Sequence, residues 1–265
     1  SQTVLLDVLL AGRPAVETDA AFRKAREHLR SFDRIAPAEQ PAGFRGELRS
    51  YQREGLAWMR FLQELGFGGC LADDMGLGKT AQVLALLEQR RELREAGEPI
   101  RPSLAVVPRS IVFNWKQEAQ RFTPKLRVQE HSGAERKRNA NEFSGCDLVL
   151  TTYGTLRGDI TMLQNVEFDY VILDESQAIK NSASDSAKSA RLLRARHRLA
   201  MSGTPIENHL GELISLFEFL NPGMLGTLRG LATGGMSLRN PDEVTRETLA
   251  LAVRPFLLRR TKQQV

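Results

Sequence analysis

The sequence predicts an α/β fold in which a parallel sheet is covered by helices on both faces. Two observations lead to this prediction. Short segments that are apolar along their whole length recur through the chain, and stretches with helical spacing of apolar residues lie between them. Strands that are apolar on both faces are typical of parallel sheets buried between two helical layers. Ligands bind such sheets at the carboxyl ends of the strands, so we search for the site there.

The elements follow one another from residue 48. A helix is expected to begin at a Ser50 cap and to end before Gly66, with Trp58 and Leu62 on its buried face. Strands are predicted at 69–72, 104–107, 126–129, 148–151, 170–173 and 198–201. Further helices are predicted at 79–95, 110–122, 134–143, 183–194 and 242–254. This alternation favours repeated strand–helix–strand units and therefore a parallel sheet.

Composition excludes several classes of protein. The chain has 265 residues, of which 42% are hydrophobic and 26% charged, which are ordinary globular values. It contains no apolar run of roughly 20 residues, so no membrane association is expected. Two cysteines form no disulfide framework and the four histidines have no zinc spacing, so we expect a reducing, cytoplasmic location. The net charge of +5 agrees with a polyanionic partner without requiring one.

The amino-terminal part differs from the rest. Apolar residues at helical spacing behind Asp19 are followed by the Pro- and Ala-rich stretch 36–43, which is typical of a linker. We therefore predict a flanking helical segment and linker over 1–47 and the main domain over 48–265.

The strongest motif is a glycine-rich turn between the first predicted strand and the next helix. Backbone N–H groups of the turn around Gly76 and Gly78 can cradle phosphate oxygens at the start of a helix. Lys79 would then reach the outer phosphates, and the Thr80 hydroxyl would bind Mg²⁺. Asp73 stands where the full phosphate-loop pattern has glycine. The alternative is a chance turn before a lysine-led helix, which the strand–turn–helix context disfavours.

A second motif is a pair of adjacent carboxylates, Asp174 and Glu175, at the end of an apolar strand. Asp174 is predicted to hold Mg²⁺ directly or through water, and Glu175 to orient an attacking water molecule. Alone, the pair could be a solvated strand end. Together with the phosphate loop it provides a cradle, a metal ligand and a water-positioning group for phosphoryl transfer.

Two weaker signals lie nearby in the predicted topology. Gln52, in the first turn of a helix before the phosphate loop, has an amide that could read the edge of adenine, although isolated glutamines are common. Ser202, Gly203 and Thr204 follow a strand and could couple the nucleotide site to another site. A simple strand-to-loop turn explains that segment equally well.

Other strand ends provide candidates for nucleic-acid contact. Pro108 and Ser110 follow one strand, and Thr151, Thr152 and Tyr153 end another. Hydroxyls and helix N-termini of this kind contact phosphates without reading sequence.

Three further features are open to two interpretations. Trp115, in the helix after Ser110, could contact nucleic acid or pack in the core, and we favour core packing. Two basic clusters could follow a nucleic-acid backbone or form solvated faces. They are Arg191, Arg194, Arg196 and Arg198, and Arg254, Arg259, Arg260 and Lys262.

Taken in order, seven motifs between Leu48 and Val265 resemble those of the Swi/Snf-type helicase-like ATPases, most closely the bacterial and archaeal branch. They are Leu-Arg-x-Tyr-Gln, Asp-Asp-Met-Gly-Leu-Gly-Lys-Thr, Val-Val-Pro-Arg-Ser with Asn-Trp, Leu-Thr-Thr-Tyr, Leu-Asp-Glu-Ser-Gln-Ala-Ile-Lys-Asn, Ser-Gly-Thr-Pro-Ile-Glu-Asn and Pro-Phe-Leu-Leu-Arg-Arg-Thr-Lys.

The resemblance implies the first RecA-like lobe of a superfamily-two motor that hydrolyses ATP with Mg²⁺ to move along double-stranded DNA. By this resemblance Gln52 reads adenine and residues 76–80 form the phosphate loop. Catalysis is assigned to Asp174 and Glu175 with Lys79. Residues 202–204 are the coupling segment, and residues 108–115 and 151–153 contact DNA. It also implies a second lobe in the same parent protein, a protein–DNA complex as a possible substrate and a nucleoid location.

The sequence departs from the family at three places. Ser176 stands where alanine is usual, residues 227–240 lack the expected aromatic and basic stretch, and nothing before Val265 resembles a second lobe. We therefore expect little ATP turnover from this chain alone. Two alternatives are a module that only binds nucleotide and nucleic acid, and an RNA-directed motor of the same superfamily. The segments at Asn114–Trp115 and 178–181 favour the Swi/Snf type over the RNA motor.

Overall fold

The structure, a computed structural model, describes residues 36–136, 139–203, 210–224 and 253–265. Its centre is a sheet of seven described strands, all parallel, in the order β3-β4-β2-β5-β6-β1-β7. The strands are β1 Gly69–Leu71, β2 Ser103–Val107, β3 Val128–His131, β4 Leu148–Thr152, β5 Glu167–Leu173, β6 Arg194–Met201 and β7 Leu257–Leu258. The parallel α/β fold predicted from the apolar strand pattern is therefore confirmed.

Six α-helices lie in the described ranges. They are α1 Ser50–Glu64, α2 Lys79–Glu95, α3 Val112–Phe122, α4 Tyr153–Leu163, α5 Asp185–Leu192 and α6 Leu210–Leu220. Short 3₁₀ turns occur at Arg109–Ile111, Ala140–Gly145, Ser176–Ile179 and Arg254–Phe256. No helix in these ranges is long and apolar enough to cross a bilayer.

The core consists of two apolar layers, one on each face of the sheet. One includes Trp58, Leu84 and Trp115, and the other includes Phe143 and Phe168. Strands β1, β2 and β4 are buried along their whole length, because helices cover both of their faces. These layers fix the carboxyl ends of β1, β6 and β5 side by side, since β6 pairs with both β1 and β5.

Several predicted elements need correction. The helix predicted at 134–143 is wrong, because the described residues of that stretch form bends and then the 3₁₀ turn Ala140–Gly145. The third strand lies two residues later than predicted, and β5 and β6 begin earlier. Helix α1 is capped by Arg49 rather than Ser50, with the Gln52 side chain accepting the Arg49 N–H at 3.0 Å. The predicted helix at 242–254 lies almost wholly outside the described residues.

Residues 36–47 lie against the main domain. The ring of Phe44 stacks on Phe122 with centroids 5.5 Å apart, and the Gly43 N–H donates to Glu92 at 2.6 Å. The backbone of Ala38 exchanges hydrogen bonds with Arg53 in α1. Residues 36–47, which include the stretch 36–43 that is typical of a linker in composition, are thus packed on α1, α2 and α3. Residues 1–35 lie outside the described part of the chain.

Candidate nucleotide site

The glycine-rich turn connects β1 to α2 at the carboxyl edge of the sheet. Gly76 and Gly78 have φ of 87° and 72°, a left-handed conformation that side-chain-bearing residues rarely adopt. Gly78 is also the N-cap of α2, and a Cβ there would lie 2.5 Å from Gln52 Nε2. The turn therefore brings backbone and the N-terminus of α2 together in the way that an anion site requires.

Lys79 and Thr80 are the first two residues of α2, and both are half-buried. The Lys79 ammonium donates to the carbonyl of Asp73 at 2.6 Å and to that of Asp74 at 3.4 Å. It is thereby held over the concave side of the turn, where a phosphate would replace these carbonyls as its partner.

Gln52 lies beside the same turn. Its Nε2 donates to the Leu77 carbonyl at 3.1 Å, and its Oε1 accepts the Arg49 N–H. The hydroxyl of Tyr51 donates to the same Leu77 carbonyl at 3.1 Å. The first turn of α1 is thus tied to the phosphate loop, while adenine reading by Gln52 stays a prediction.

Asp174 and Glu175 follow β5, across β6 from the phosphate loop. Asp174 is 6% exposed, and burial raises the pKa of its carboxyl. Hydrogen bonds from Trp115 Nε1 at 2.8 Å and from the Glu175 N–H at 2.8 Å, together with the charge of Lys79, oppose that rise in pKa. Because buried charges are normally paired or bound to a metal ion, Asp174 is a candidate cation ligand.

Glu175 has a strained backbone. Its φ of 48° makes it the one non-glycine residue with positive φ in the described ranges. Its carboxylate accepts a hydrogen bond from Gln177 Nε2 at 2.7 Å. This conformation turns the chain sharply after β5 and sets the direction of the Glu175 side chain.

Two residues that support Asp174 were not assigned this role from the sequence. Trp115 is buried, as predicted, but its indole N–H also donates a hydrogen bond to the Asp174 carboxylate. The hydroxyl of Tyr153 donates to the Asp174 carbonyl at 2.8 Å, and burial raises the pKa of Tyr153 well above its ordinary value. The position of Trp115 shortly after β2 could have suggested a hydrogen bond from its indole to a carboxylate. Only the order of the strands shows that this carboxylate is Asp174.

The predicted coupling segment lies next to the phosphate loop. Ser202 is buried, and its N–H donates to the Leu71 carbonyl at 3.1 Å. A Cβ on Gly203 would lie 2.9 Å from Met75 Cγ and 3.9 Å from Lys79 Nζ. The segment therefore touches the nucleotide loop, while Thr204 lies outside the described residues.

The predicted DNA-contact residues divide into two groups. Pro108 is half-buried and Ser110 exposed, at the surface after β2. The side chains of Thr151, Thr152 and Tyr153 are buried. The Thr151 hydroxyl donates to the His131 carbonyl, and that of Thr152 bonds Thr155. A phosphate contact at 151–153 would therefore use the first N–H groups of α4, and DNA contact at both segments stays a prediction.

The first basic cluster lies at the opposite, amino edge of the sheet. Arg198 donates to the carbonyls of Phe219 and Leu193, and Arg194 lies 3.6 Å from Glu167. Arg191 donates to the Ser182 carbonyl at 2.9 Å. These partners favour a structural role for three of its four members.

The second basic cluster has two members beside the phosphate loop, which sequence reasoning placed only at the end of the domain. Arg260 forms a buried ion pair with Asp73, and Lys262 Nζ lies 3.8 Å from the position of a Cβ on Gly76. Arg254 and Arg259 are exposed. The residue that replaces glycine in the phosphate-loop pattern, Asp73, is thus the partner of Arg260.

Other site classes have little support in the ranges described. No group of three or more His, Cys, Asp or Glu side chains there is arranged to hold a metal ion. Cys70 and Cys146 are both buried, and burial raises the pKa of their thiols to about 12 and about 11. Neither thiol is activated as a nucleophile.

Comparison with known proteins gives consistent matches. Residues 51–265 match the SNF2-related domain. The chain is 42% identical over 225 residues to a putative ATP-dependent helicase/translocase, YwqA, of Bacillus subtilis, covering 83% of this chain and 24% of that protein. It is 36% identical over 266 residues to the TATA-binding protein-associated factor mot1 of Schizosaccharomyces pombe, covering 92% of this chain and 14% of that protein.

A solved structure shares the fold. The Sulfolobus solfataricus SWI2/SNF2 ATPase core in complex with double-stranded DNA superposes with a TM-score of 0.75 at 39% identity, covering 84% of this chain and 46% of that one. The chain spans a quarter or less of the length of these two curated relatives.

Proposed function

This chain belongs to the SNF2-related domain family, as its motifs predict, and we propose that it is the first ATPase lobe of a motor that moves along double-stranded DNA. The family is one of ATPase cores, and its members among the relatives include ATP-dependent helicases and translocases. The proposal for this chain comprises binding of Mg·ATP, contact with the DNA backbone and slow turnover without a second lobe.

The observation that supports the proposal best is the arrangement of three segments on adjacent strands. The phosphate loop follows β1, Ser202 follows β6 and the acidic pair follows β5. Lys79 is near enough to Asp174 to lower the pKa of its carboxyl against the effect of burial. A candidate phosphate cradle, a candidate metal-binding carboxylate and a candidate base thus share one edge of the sheet.

The residues present fit a magnesium nucleotide. Left-handed glycines and the N-terminus of α2 suit phosphate oxygens, and the buried carboxyl of Asp174 suits a cation. Mg·ATP supplies a phosphoryl group that can be transferred to water. In the proposed mechanism Lys79 would bind the outer phosphates, and Thr80 and Asp174 would hold the metal ion. Glu175 would orient the water molecule and accept its proton.

DNA binding is proposed from the surface near that edge. Ser110 is exposed after β2, and the N-terminus of α4 follows β4 one strand away. The related core from Sulfolobus solfataricus is a complex with double-stranded DNA, which supports the same partner here. A protein–DNA complex is the corresponding candidate for the target of the motor.

Slow turnover is proposed because one lobe would supply only part of the positive charge that stabilises the transition state of phosphoryl transfer. An arginine brought in from a second element typically contributes about 10³–10⁵ in rate to phosphoryl transfer. We propose that a second lobe of the parent protein supplies it and thereby closes the site.

The test is phosphate release by this chain and by a longer form carrying a second lobe, each with duplex DNA, with single-stranded RNA and alone. We expect a low rate for the chain under all conditions and duplex-stimulated turnover for the longer form. Stimulation by RNA instead would favour the RNA motor, and no turnover by the longer form would favour a binding module. Brisk duplex-stimulated turnover by the chain alone would contradict the single-lobe proposal.

A further inference from the structure

Arg260, in the segment that follows β7, is buried against the phosphate loop. It is 9% exposed, and its guanidinium bonds both carboxylate oxygens of Asp73, from Nε at 2.9 Å and from Nη2 at 2.6 Å. The Arg260 N–H adds a third bond to Asp73 at 3.1 Å. Asp73 is fully buried at the start of the loop, so this forked pair is a strong, directional link.

The same guanidinium contacts two other segments around the site. Its Nη2 donates to Gln82 Oε1 in the first turn of α2 at 3.0 Å, and Gln82 Nε2 in turn donates to Asp73 at 3.2 Å. Its Nη1 donates to the Tyr51 carbonyl, and the guanidinium lies 5.2 Å from the centre of the Tyr51 ring. Arg260 therefore joins the turn that carries Gln52, the phosphate loop and α2.

The backbone strengthens this link. The Ala72 N–H donates to the Leu258 carbonyl at 2.7 Å, and the Asp74 N–H donates to the Arg260 carbonyl at 3.0 Å. The Lys262 N–H donates to the Asp74 carboxylate at 3.2 Å. Residues 258–262 thus run beside the phosphate loop, and a shift of the loop must shift them or break these bonds.

We propose that Arg260 is a positioning residue for the nucleotide site and that it makes the position of residues 258–262 depend on the occupancy of that site. The first turn of α1, the phosphate loop and the first turn of α2 all contact the guanidinium of Arg260. Arg260 itself belongs to a segment outside the phosphate-loop motif. In this role the partner of Arg260 is Asp73, which stands where the general motif has glycine. The inference rests on the nucleotide site proposed above.

The first test compares two lysine substitutions, Arg260→Lys and Arg90→Lys. Lysine keeps the charge but loses the planar fork. Arg90 forms the same kind of buried, two-pronged pair, with Asp169 at 2.7 and 2.8 Å, but lies on α2 eleven residues beyond Lys79. That distance is about 16 Å along the helix axis, so Arg90→Lys controls for the loss of a buried fork as such.

Binding of a nonhydrolysable ATP analogue with Mg²⁺ is measured by calorimetry on the 265-residue chain and both variants. We expect roughly tenfold weaker binding in Arg260→Lys, the scale of coupling between residues in one network, and a change below about twofold in Arg90→Lys. Thermal melting should show both variants folded and both less stable. Unchanged affinity in Arg260→Lys, or an equal loss in Arg90→Lys, would overturn the inference.

A second measurement needs no variant. Hydrogen exchange of the unaltered chain, with and without the same analogue, should show slower exchange at residues 258–262 as well as at 72–80. Slower exchange at 72–80 alone would overturn the proposed dependence and leave the nucleotide site intact. Absence of any binding by the unaltered chain would instead contradict the proposed function itself.

Discussion

Trp115 Nε1 lies 2.8 Å from Asp174 Oδ2, so a core tryptophan is also a hydrogen-bond donor to the proposed metal-binding carboxylate. The indole is 1% exposed and lies on α3, whereas Asp174 follows β5. The bond favours the ionised carboxyl while burial disfavours it. The bond from Trp115 therefore opposes the rise in the pKa of Asp174 that burial causes.

Trp115→Phe should raise the pKa of Asp174 further, because it removes a donor to the charged form. Mg²⁺ needs the ionised carboxylate, so metal-dependent nucleotide binding falls as pH falls through the pKa of Asp174, and in the variant this fall begins at higher pH. The measurement is Mg²⁺-dependent analogue binding between about pH 5 and about pH 8.

The matched control for that prediction is Trp58→Phe. The Trp58 indole is equally buried and donates to the Pro255 carbonyl at 2.9 Å, away from the carboxylate. Trp58→Phe should lower thermal stability without shifting the pH dependence of analogue binding. Identical profiles for both variants and the unaltered chain would argue against the role of Trp115.

Lys79→Ala should weaken binding of the Mg²⁺ nucleotide by about 1.5–3 kcal/mol, the worth of a hydrogen bond to a charged group. The loss arises because the ammonium now held by the Asp73 and Asp74 carbonyls would bind phosphate instead. Calorimetry measures it. Lys188→Ala is the control, since Lys188 is exposed on α5 and should leave affinity unchanged. Equal affinity of Lys79→Ala and the unaltered chain would exclude this phosphate site.

Asp174→Asn and Glu175→Gln should have different effects. The first should abolish the part of nucleotide binding that depends on Mg²⁺, because it removes the charge from the buried ligand. Glu175→Gln keeps the size of the side chain and should leave the backbone unchanged, so nucleotide binding should be retained. In a form with a second lobe, ATP turnover should be lost. Calorimetry with Mg²⁺ and with a chelator, and phosphate release, measure the two effects. An equal loss of binding in both variants would refute the division of roles.

The sequence motifs that lead to the proposed nucleotide site could be found because they are local. The phosphate loop, Asp174 and Glu175 are each defined by a strand end and a few adjacent residues, and the sheet then brings them together. The links between them were not predictable in this way. Trp115 with Asp174 and Asp73 with Arg260 are 59 and 187 residues apart in the chain, and only the strand order makes them neighbours.

Element prediction failed where local preference and tertiary context disagree. Helix α4 was not predicted, since Gly154, Gly158 and Asp159 lie within it and are poor helix formers. Its burial through Leu156 and Leu163 compensates for them. The two-residue strand β7 carries almost no pattern of its own and exists through pairing with β1.

His197 should make stability depend on pH. Burial lowers the pKa of its imidazole from 6.5 to about 4, and its buried Nδ1 has no hydrogen-bond partner among the residues that the structure describes. The unfolded chain therefore binds a proton at a higher pH than the folded one, and stability is lost as pH falls from about 6.5 towards 4. The free energy of unfolding of the chain relative to His197→Gln should decrease over that interval. A constant difference between the two, measured by urea unfolding, would rule out this linkage.

Gly78→Ala should impair both folding and nucleotide binding, whereas Gly97→Ala should impair folding alone. Both glycines have positive φ, at 72° and 100°, so alanine at either site costs about 1–2 kcal/mol in backbone strain. A Cβ on Gly97 would meet no described residue within 4 Å. On Gly78 it would lie 2.5 Å from Gln52 Nε2 and displace that amide from the Leu77 carbonyl. The loop and the first turn of α1 would then separate, and analogue binding should weaken only in Gly78→Ala.

Urea unfolding measures the strain that both variants share. Calorimetry measures the difference in analogue affinity between the two variants. Unimpaired binding by Gly78→Ala would mean that Gln52 and the loop need not stay in contact for the nucleotide to bind.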